Sequence, residues 1–130
     1  MDRYRLLNIT YEDFVRAAEN KRCILFGAGS TCLKVIKDIH EDVNIDYIVD
    51  SDFWKWGSLI GKYEVKQPNA LWKENREDIV VLVTAVSFSD IEKILIEEGF
   101  YDNYYSYTLF FERIVSKYDY TTLHISGLNA

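Results

Sequence analysis

Two kinds of hydrophobic pattern alternate along this chain. Continuous apolar runs, typical of buried strands, occupy Arg22–Phe26 and residues 79–86. Between them, apolar residues recur at the spacing of a helix, as in Leu33, Ile36 and Ile39. Strands that alternate with helices predict an α/β fold with a mainly parallel sheet.

Capping signals and shorter patterns predict the remaining elements. Thr10 with Asp13 three residues later predicts a short N-terminal helix, and Ser89 with Glu92 predicts a helix that stops at Gly99. Further strands are expected at residues 45–50, 62–65 and within 100–107. A short helix is expected at 69–75 and a final helix at 108–118, before a C-terminal tail.

This order of elements predicts a three-layer α/β sandwich with a sheet of about five strands. The first choice of strand order is the half-Rossmann arrangement 3-2-1-4-5, and the alternative is the flavodoxin order 2-1-3-4-5. We expect residues 1–130 to form a single Rossmann-like nucleotide-binding domain whose core spans about 20–110.

The charge and the hydropathy of the chain narrow its partners. With 21 acidic and 15 basic residues the net charge is -6, which would repel a polyanion. The sequence therefore predicts no nucleic acid and no anionic membrane as partners. Because the chain has neither a long apolar run nor the start of a signal peptide, we expect a cytoplasmic location.

Motifs for catalysis and for metal binding are missing from the sequence. Its two histidines have no metal-ligand spacing, and Cys23 and Cys32 form no CxxC pair, so we expect no metal site and structural thiols. The chain contains no Tyr-x-x-x-Lys pair, no GxSxG elbow and no HExxH motif. Catalytic residues are therefore unassigned, and enzymatic activity stays an open question.

A glycine-rich turn follows the first strand and opens the next helix. In this turn Gly27 suits a tight bend, and Gly29 suits the close approach of a phosphate. Ala28 lies between the glycines, while Ser30 and Thr31 bring hydroxyl groups to the helix N-terminus, where backbone amides attract anions. The turn therefore predicts a phosphate-binding site. Cys32 stands where the dinucleotide fingerprint usually has glycine or alanine.

Polar and aromatic residues at other strand ends extend this candidate site. Asp50 closes the second strand 21 positions after Gly29, where a carboxylate would bind a ribose diol and repel a 2'-phosphate, so NAD is preferred to NADP. Ser51 follows it in the turn, and Thr84 follows the long strand, where its hydroxyl contacts a ligand or caps a helix. The aromatic segment 53–56 would stack on a base, although aromatic loops more often seal the edge of a core.

Four segments carry a resemblance to a known group of proteins: GAGSTCLKVIKDI, IDYIVDSDFWKWGSLIGKYEV, QPNALW and IVVLVTAVSFSDIEKILIEEGF. In this order the chain resembles the small Rossmann-like nucleotide-binding domains of bacterial polysaccharide and sugar-nucleotide biosynthesis proteins. The resemblance covers about residues 20–110, and its most telling part is the turn DSDFWKWG at 50–57. It implies binding of NAD or a nucleotide sugar in a domain that is either fused to a catalytic module or separate.

Three classes of function follow from these patterns. The first is a nucleotide-binding module, associated with polysaccharide or sugar-nucleotide biosynthesis, that is not catalytic alone. The second is a sugar-nucleotide oxidoreductase, isomerase or methyltransferase subunit that is completed by a catalytic partner protein. The third is an interaction domain without a ligand, for example a homodimer, with the aromatic stretch 101–111 as its contact surface.

Overall fold

The computed structural model of the protein describes residues 8–108 and residue 110, so the predicted final helix and tail lie largely outside the described residues. The helices are α1 (Tyr11–Ala17), α2 (Cys32–Ile39), α3 (Asn69–Trp72) and α4 (Phe88–Glu97), with single 3-10 turns at Phe53–Lys55 and Arg76–Asp78. The strands are β1 (Arg22–Phe26), β2 (Asn44–Val49), β3 (Leu59–Ile60), β4 (Tyr63–Lys66), β5 (Ile79–Val83) and β6 (Tyr104–Ser106).

The strands of the described region form one sheet in the order β3-β4-β2-β1-β5-β6. The neighbours β4-β2, β2-β1, β1-β5 and β5-β6 are parallel, and β3 pairs antiparallel with β4 at the edge. Without β3, this is the predicted order 3-2-1-4-5, which is confirmed, and the flavodoxin alternative is wrong. The two-residue strand β3 was not predicted, since so short a run has no periodicity to detect.

Each face of the sheet has its own hydrophobic core. Along β1 the side chains alternate: Cys23 and Leu25 belong to the core that includes α1 and α2, while Ile24 and Phe26 belong to the core that includes α3 and α4. This alternation follows from the two-residue period of a strand. The continuous burial of β5 confirms its prediction as a strand covered on both faces.

The capping predictions had opposite outcomes. The Thr10 and Asp13 capping box is present in both directions, with hydrogen bonds of 3.1 and 3.0 Å. The capping box predicted at Ser89 is wrong, because α4 begins at Phe88 and places Glu92 inside the helix. There the Glu92 carboxylate accepts a 2.8 Å hydrogen bond from the hydroxyl of Tyr104.

Helix α2 buries Ile36 and Ile39 as predicted, but it does not bury Leu33. Leu33 is exposed, while the buried positions follow one stripe along the helix: Cys32, Val35, Ile36 and Ile39. These buried positions have the i, i+3, i+4, i+7 spacing of one helix face, and Leu33 lies outside that face.

The described rings of the aromatic stretch at 101–111 do not form the predicted contact surface. Tyr104, Tyr105, Tyr107 and Phe110 are buried, and of the described rings in the stretch only Tyr101 is exposed. These side chains belong to the core, so the prediction that they form the contact surface of an interaction domain is wrong. No helix within the described residues combines the length and the apolar character needed to cross a membrane.

Candidate functional site

The glycine turn requires glycine at its first position. Gly27 has a φ of 129°, which side chains rarely allow. A Cβ atom there would lie 2.6 Å from Oγ1 of Thr84 and 3.0 Å from the backbone nitrogen of Ala85. The turn after β1 therefore packs directly against the segment that follows β5.

Gly29 has a different environment, because it faces open space. A Cβ atom built on Gly29 would meet no atom within 4 Å, and the residue is exposed. Packing within the protein therefore does not require glycine at position 29. The close approach of a ligand to the backbone would account for a glycine at this position.

The N-terminus of α2 lies next to this open space and carries no negative charge in its first turn. The amide of Cys32 donates to the carbonyl of Gly29 at 3.1 Å, and the hydroxyl of Thr31 donates to the carbonyl of Thr84 at 3.1 Å. Within the described residues, the amides of Gly29 and Ser30 have no hydrogen-bond acceptor. Free amides at the positive end of a helix dipole suit an anion.

Asp50 lies at the carboxyl end of β2 and is bonded to the glycine turn. Its Oδ2 accepts a 2.7 Å hydrogen bond from the amide of Ala28, and its Oδ1 accepts a 2.8 Å bond from the amide of Asp52. The ammonium group of Lys55 lies 3.9 Å from Oδ2. Asp50 therefore positions the turn, and spacing alone did not predict this contact.

The other predicted residues have different environments. Ser51 is exposed beside Asp50, whereas Thr84 is buried and its hydroxyl donates to the carbonyl of Gly27 at 2.7 Å. Thr84 thus stabilises the turn through a buried hydrogen bond. Cys32 is buried at the start of α2, and burial, aided by the Asp50 carboxylate, raises the pKa of its thiol to about 11. Such a thiol stays protonated, in agreement with a structural role.

The aromatic turn at 53–56 does not seal the core. Phe53 is 58%, Trp54 82% and Trp56 40% exposed. The rings of Phe53 and Trp54 lie 4.7 Å apart, and Asp52 caps the turn by accepting from the amide of Trp54 at 3.1 Å. The expectation that these rings close the edge of a core is therefore wrong, and they are available for contact.

Open clefts within the described residues include one beside β4 and one at the amino ends of β1 and β2. A cleft of about 460 Å³ lies beside β4 and α3, and its lining includes Tyr47, Trp56, Lys66, Gln67 and Asn69. A wider one, of about 700 Å³, lies at the amino ends of β1 and β2. None of the predicted ligand residues lines either cleft. The smaller cleft contains Trp56 from the turn after β2 and Lys66 at the carboxyl end of β4, and ligands of open α/β sheets bind at the carboxyl ends of the strands.

The described residues contain no group of three or more potential metal ligands. Asp50 and the predicted turn residues lie together at the carboxyl end of the sheet, because β1 and β2 are parallel neighbours. Ala28 contacts Asp50 directly, and the other turn residues are Gly27, Gly29, Ser30 and Thr31. The sequence predicted segment 53–56 as a stacking surface near this site, but it did not predict the contacts of Lys55 and Trp56 with Asp50. Spacing along the chain gave no signal for these contacts.

Comparison with known proteins establishes the fold. No protein-family model matches the chain, and no curated protein does. Among solved structures, RSP, a Rex-family repressor, in complex with beta-NADH matches with a TM-score of 0.51 and 14% identity, over 84% of this chain and 67% of that chain. UDP-D-quinovosamine 4-dehydrogenase from Vibrio fischeri matches with a TM-score of 0.49 and 23% identity, over 62% of this chain and 69% of that chain. The chain has a Rossmann-like fold. It spans about two thirds of the length of these proteins.

One prediction about partners is contradicted by these comparisons. RSP in complex with beta-NAD+ and operator DNA also matches, with a TM-score of 0.51 and 14% identity, over 85% of this chain and 63% of that chain. The exclusion of nucleic acid on the basis of net charge was therefore wrong, because this fold occurs in a protein that binds operator DNA. The net charge sums over the whole chain, so it does not describe the charge of any one region of the surface.

Proposed function

We propose that this chain is a nucleotide-binding module, whose ligand is NAD or a nucleotide sugar and which is not catalytic alone. The observation that carries the proposal is the hydrogen bond between Asp50 and Ala28, which holds a carboxylate beside a glycine turn with open space at Gly29. The phosphate and ribose groups of one nucleotide require these two features side by side.

The phosphate site consists of the free amides of Gly29 and Ser30 together with the hydroxyl groups of Ser30 and Thr31. Open space at Gly29 lets a phosphate oxygen reach the backbone, and the dipole of α2 favours its negative charge. Lys55, which lies near Asp50, adds a positive charge to this edge.

The ribose site is the carboxylate of Asp50, with Ser51 beside it. Two carboxylate oxygens accept about four hydrogen bonds, and backbone amides within the described residues occupy two of these positions. Asp50 therefore has capacity for the two hydroxyl groups of a ribose. Its charge also disfavours a 2'-phosphate, so NAD is preferred to NADP.

The choice between NAD and a nucleotide sugar rests on different supports. The fold that this chain shares with RSP in complex with beta-NADH agrees with NAD. The sequence resemblance to polysaccharide and sugar-nucleotide biosynthesis proteins favours a nucleotide sugar and a separate catalytic partner. Both ligands place a phosphate beside a ribose, so the same two groups of residues serve either one.

Isothermal titration calorimetry tests this proposal with NAD+, NADP+, UDP-N-acetylglucosamine and S-adenosylmethionine. We expect saturable binding of NAD+ or the nucleotide sugar, weaker binding of NADP+, and a loss of affinity of at least about tenfold in Gly29→Ala and Asp50→Asn. Asp102→Asn, an exposed aspartate outside the site, is the matched control. If the folded wild-type protein binds none of these ligands, the proposal is wrong.

A further inference from the structure

Trp56 is an exposed ring that the protein nevertheless holds in place. Its indole N–H donates a 2.7 Å hydrogen bond to the backbone carbonyl of Asp50. The ring of Phe53 packs edge-on against it, with centroids 6.3 Å apart and planes at 70°. An oriented ring loses little conformational freedom when it binds, and this favours stacking on another ring.

Trp56 contributes to the lining of the cleft of about 460 Å³, which also contains hydrogen-bonding side chains. Among the described residues, the side-chain amides of Gln67 and Asn69 make no hydrogen bond, and each supplies both donors and an acceptor. The cleft adjoins the ribose site, because the amide of Asp50 donates to the carbonyl of Lys66 at 3.2 Å.

We propose that Trp56 and this cleft bind the base of the nucleotide, with the base stacked on the indole and its edge facing Gln67 and Asn69. This inference rests on the proposed function. Phosphate, ribose and base are consecutive in a nucleotide. The turn at Gly29, the carboxylate of Asp50 and the indole of Trp56 lie in the same order in the structure. The amide of Ala28 donates to the carboxylate of Asp50, and the indole of Trp56 donates to its backbone carbonyl.

The charges around the cleft favour a base over a second protein chain. Lys66, Lys73, Glu64 and Glu74 all contribute to its lining. The centre of a protein interface is depleted of charged residues, whereas a base exposes polar edges around one flat ring. The ammonium group of Lys66 lies 4.4 Å from the ring centroid of Tyr47, so a charged group of the lining already packs on an aromatic ring.

Two substitutions separate stacking from hydrogen bonding at position 56. Trp56→Phe keeps a ring without the N–H donor, and Trp56→Gln keeps a donor without the ring. We would titrate each with NAD+, UDP and ribose 5-phosphate, which lacks a base, and follow binding by calorimetry and by NMR chemical shifts. We expect Trp56→Gln to weaken NAD+ and UDP about tenfold without change for ribose 5-phosphate, and Trp56→Phe to keep most of the affinity.

Other outcomes would overturn this assignment. Equal weakening of UDP and ribose 5-phosphate by Trp56→Gln would mean that Trp56 acts only through Asp50. Sedimentation that shows a wild-type dimer and a monomeric Trp56→Gln would make the turn a dimer contact. Binding that Gly29→Ala weakens and Trp56→Gln leaves unchanged would remove the base site alone, whereas no binding by the wild-type protein would remove the proposed function as well.

Discussion

The carboxylate of Asp50 accepts a 2.7 Å hydrogen bond from the backbone amide of Ala28, which joins the end of β2 to the turn that follows β1. Ala28 is buried, so its amide cannot reach water easily if this acceptor is removed. The residue proposed to bind ribose therefore also stabilises the phosphate turn.

Removal of that acceptor should destabilise the fold. Asp50→Ala leaves the buried amide of Ala28 unpaired, and we expect the free energy of unfolding to fall by about 1–3 kcal/mol. Urea denaturation followed by circular dichroism measures this change. Asp102→Ala, at an exposed aspartate, should differ from the wild type by less than about 0.5 kcal/mol. Equal stability of the two variants would show that the bond to Ala28 contributes nothing.

The two glycines of the turn should respond oppositely to alanine. Gly27→Ala forces a Cβ against Thr84 at a φ of 129°, so we expect a loss of about 2 kcal/mol or more in the free energy of unfolding. Gly29→Ala meets no atom within 4 Å and should be neutral within about 0.5 kcal/mol. Thermal unfolding of both variants checks this. A strongly destabilised Gly29→Ala would assign that glycine a structural role instead.

The hydroxyl of Thr84 should stabilise the turn from inside the protein. It donates to the carbonyl of Gly27 at 2.7 Å, and Thr84→Val removes this donor with little change in shape. We expect a loss of about 1–2 kcal/mol in the free energy of unfolding, with partial recovery in Thr84→Ser, which keeps the hydroxyl. A Thr84→Val variant as stable as the wild type in denaturant titrations, beside a destabilised Thr84→Ser, would show that the methyl group matters and the hydrogen bond does not.

An ion pair at the other end of β1 should make stability depend on pH. The Arg22 guanidinium, which donates to Glu74 at 2.6 and 3.1 Å, lowers the pKa of that carboxyl, and the Tyr47 hydroxyl adds to the effect. Because the folded pKa lies below the unfolded one, the folded protein binds fewer protons. The stabilisation is complete above the ordinary value of 4.5 and is lost as the pH falls through the folded pKa.

Glu74→Gln tests this dependence. We expect the free energy of unfolding to be about 1 kcal/mol lower at pH 7 and to vary less with pH in the acid range. Urea denaturation between pH 3 and 7, at about the range where carboxylates titrate, measures both effects. Glu97→Gln, at an exposed carboxylate of α4, is the control. Parallel pH profiles for wild type and Glu74→Gln would contradict the ion pair's role.

Local sequence determined most of the framework. The strands are short apolar runs and the crossovers are of ordinary length, so the alternation of elements predicted the α/β fold class and left two strand orders, of which the first choice, 3-2-1-4-5, is the one observed. The glycines and Asp50 were predicted as neighbours because the carboxyl ends of adjacent parallel strands meet at one edge. These features depend on periodicity and chain connectivity, which are properties of the sequence.

Only the tertiary structure decided which partners the side chains have. Glu92 fits a capping box in the sequence, yet the helix begins at the buried Phe88 and Glu92 lies inside it. There the Glu92 carboxylate accepts a hydrogen bond from Tyr104. Likewise, spacing could not show that Asp50 bonds to Ala28 or that the ring of Trp56 stays exposed. Contacts between residues far apart in the chain depend on packing across the sheet, and no local pattern records it.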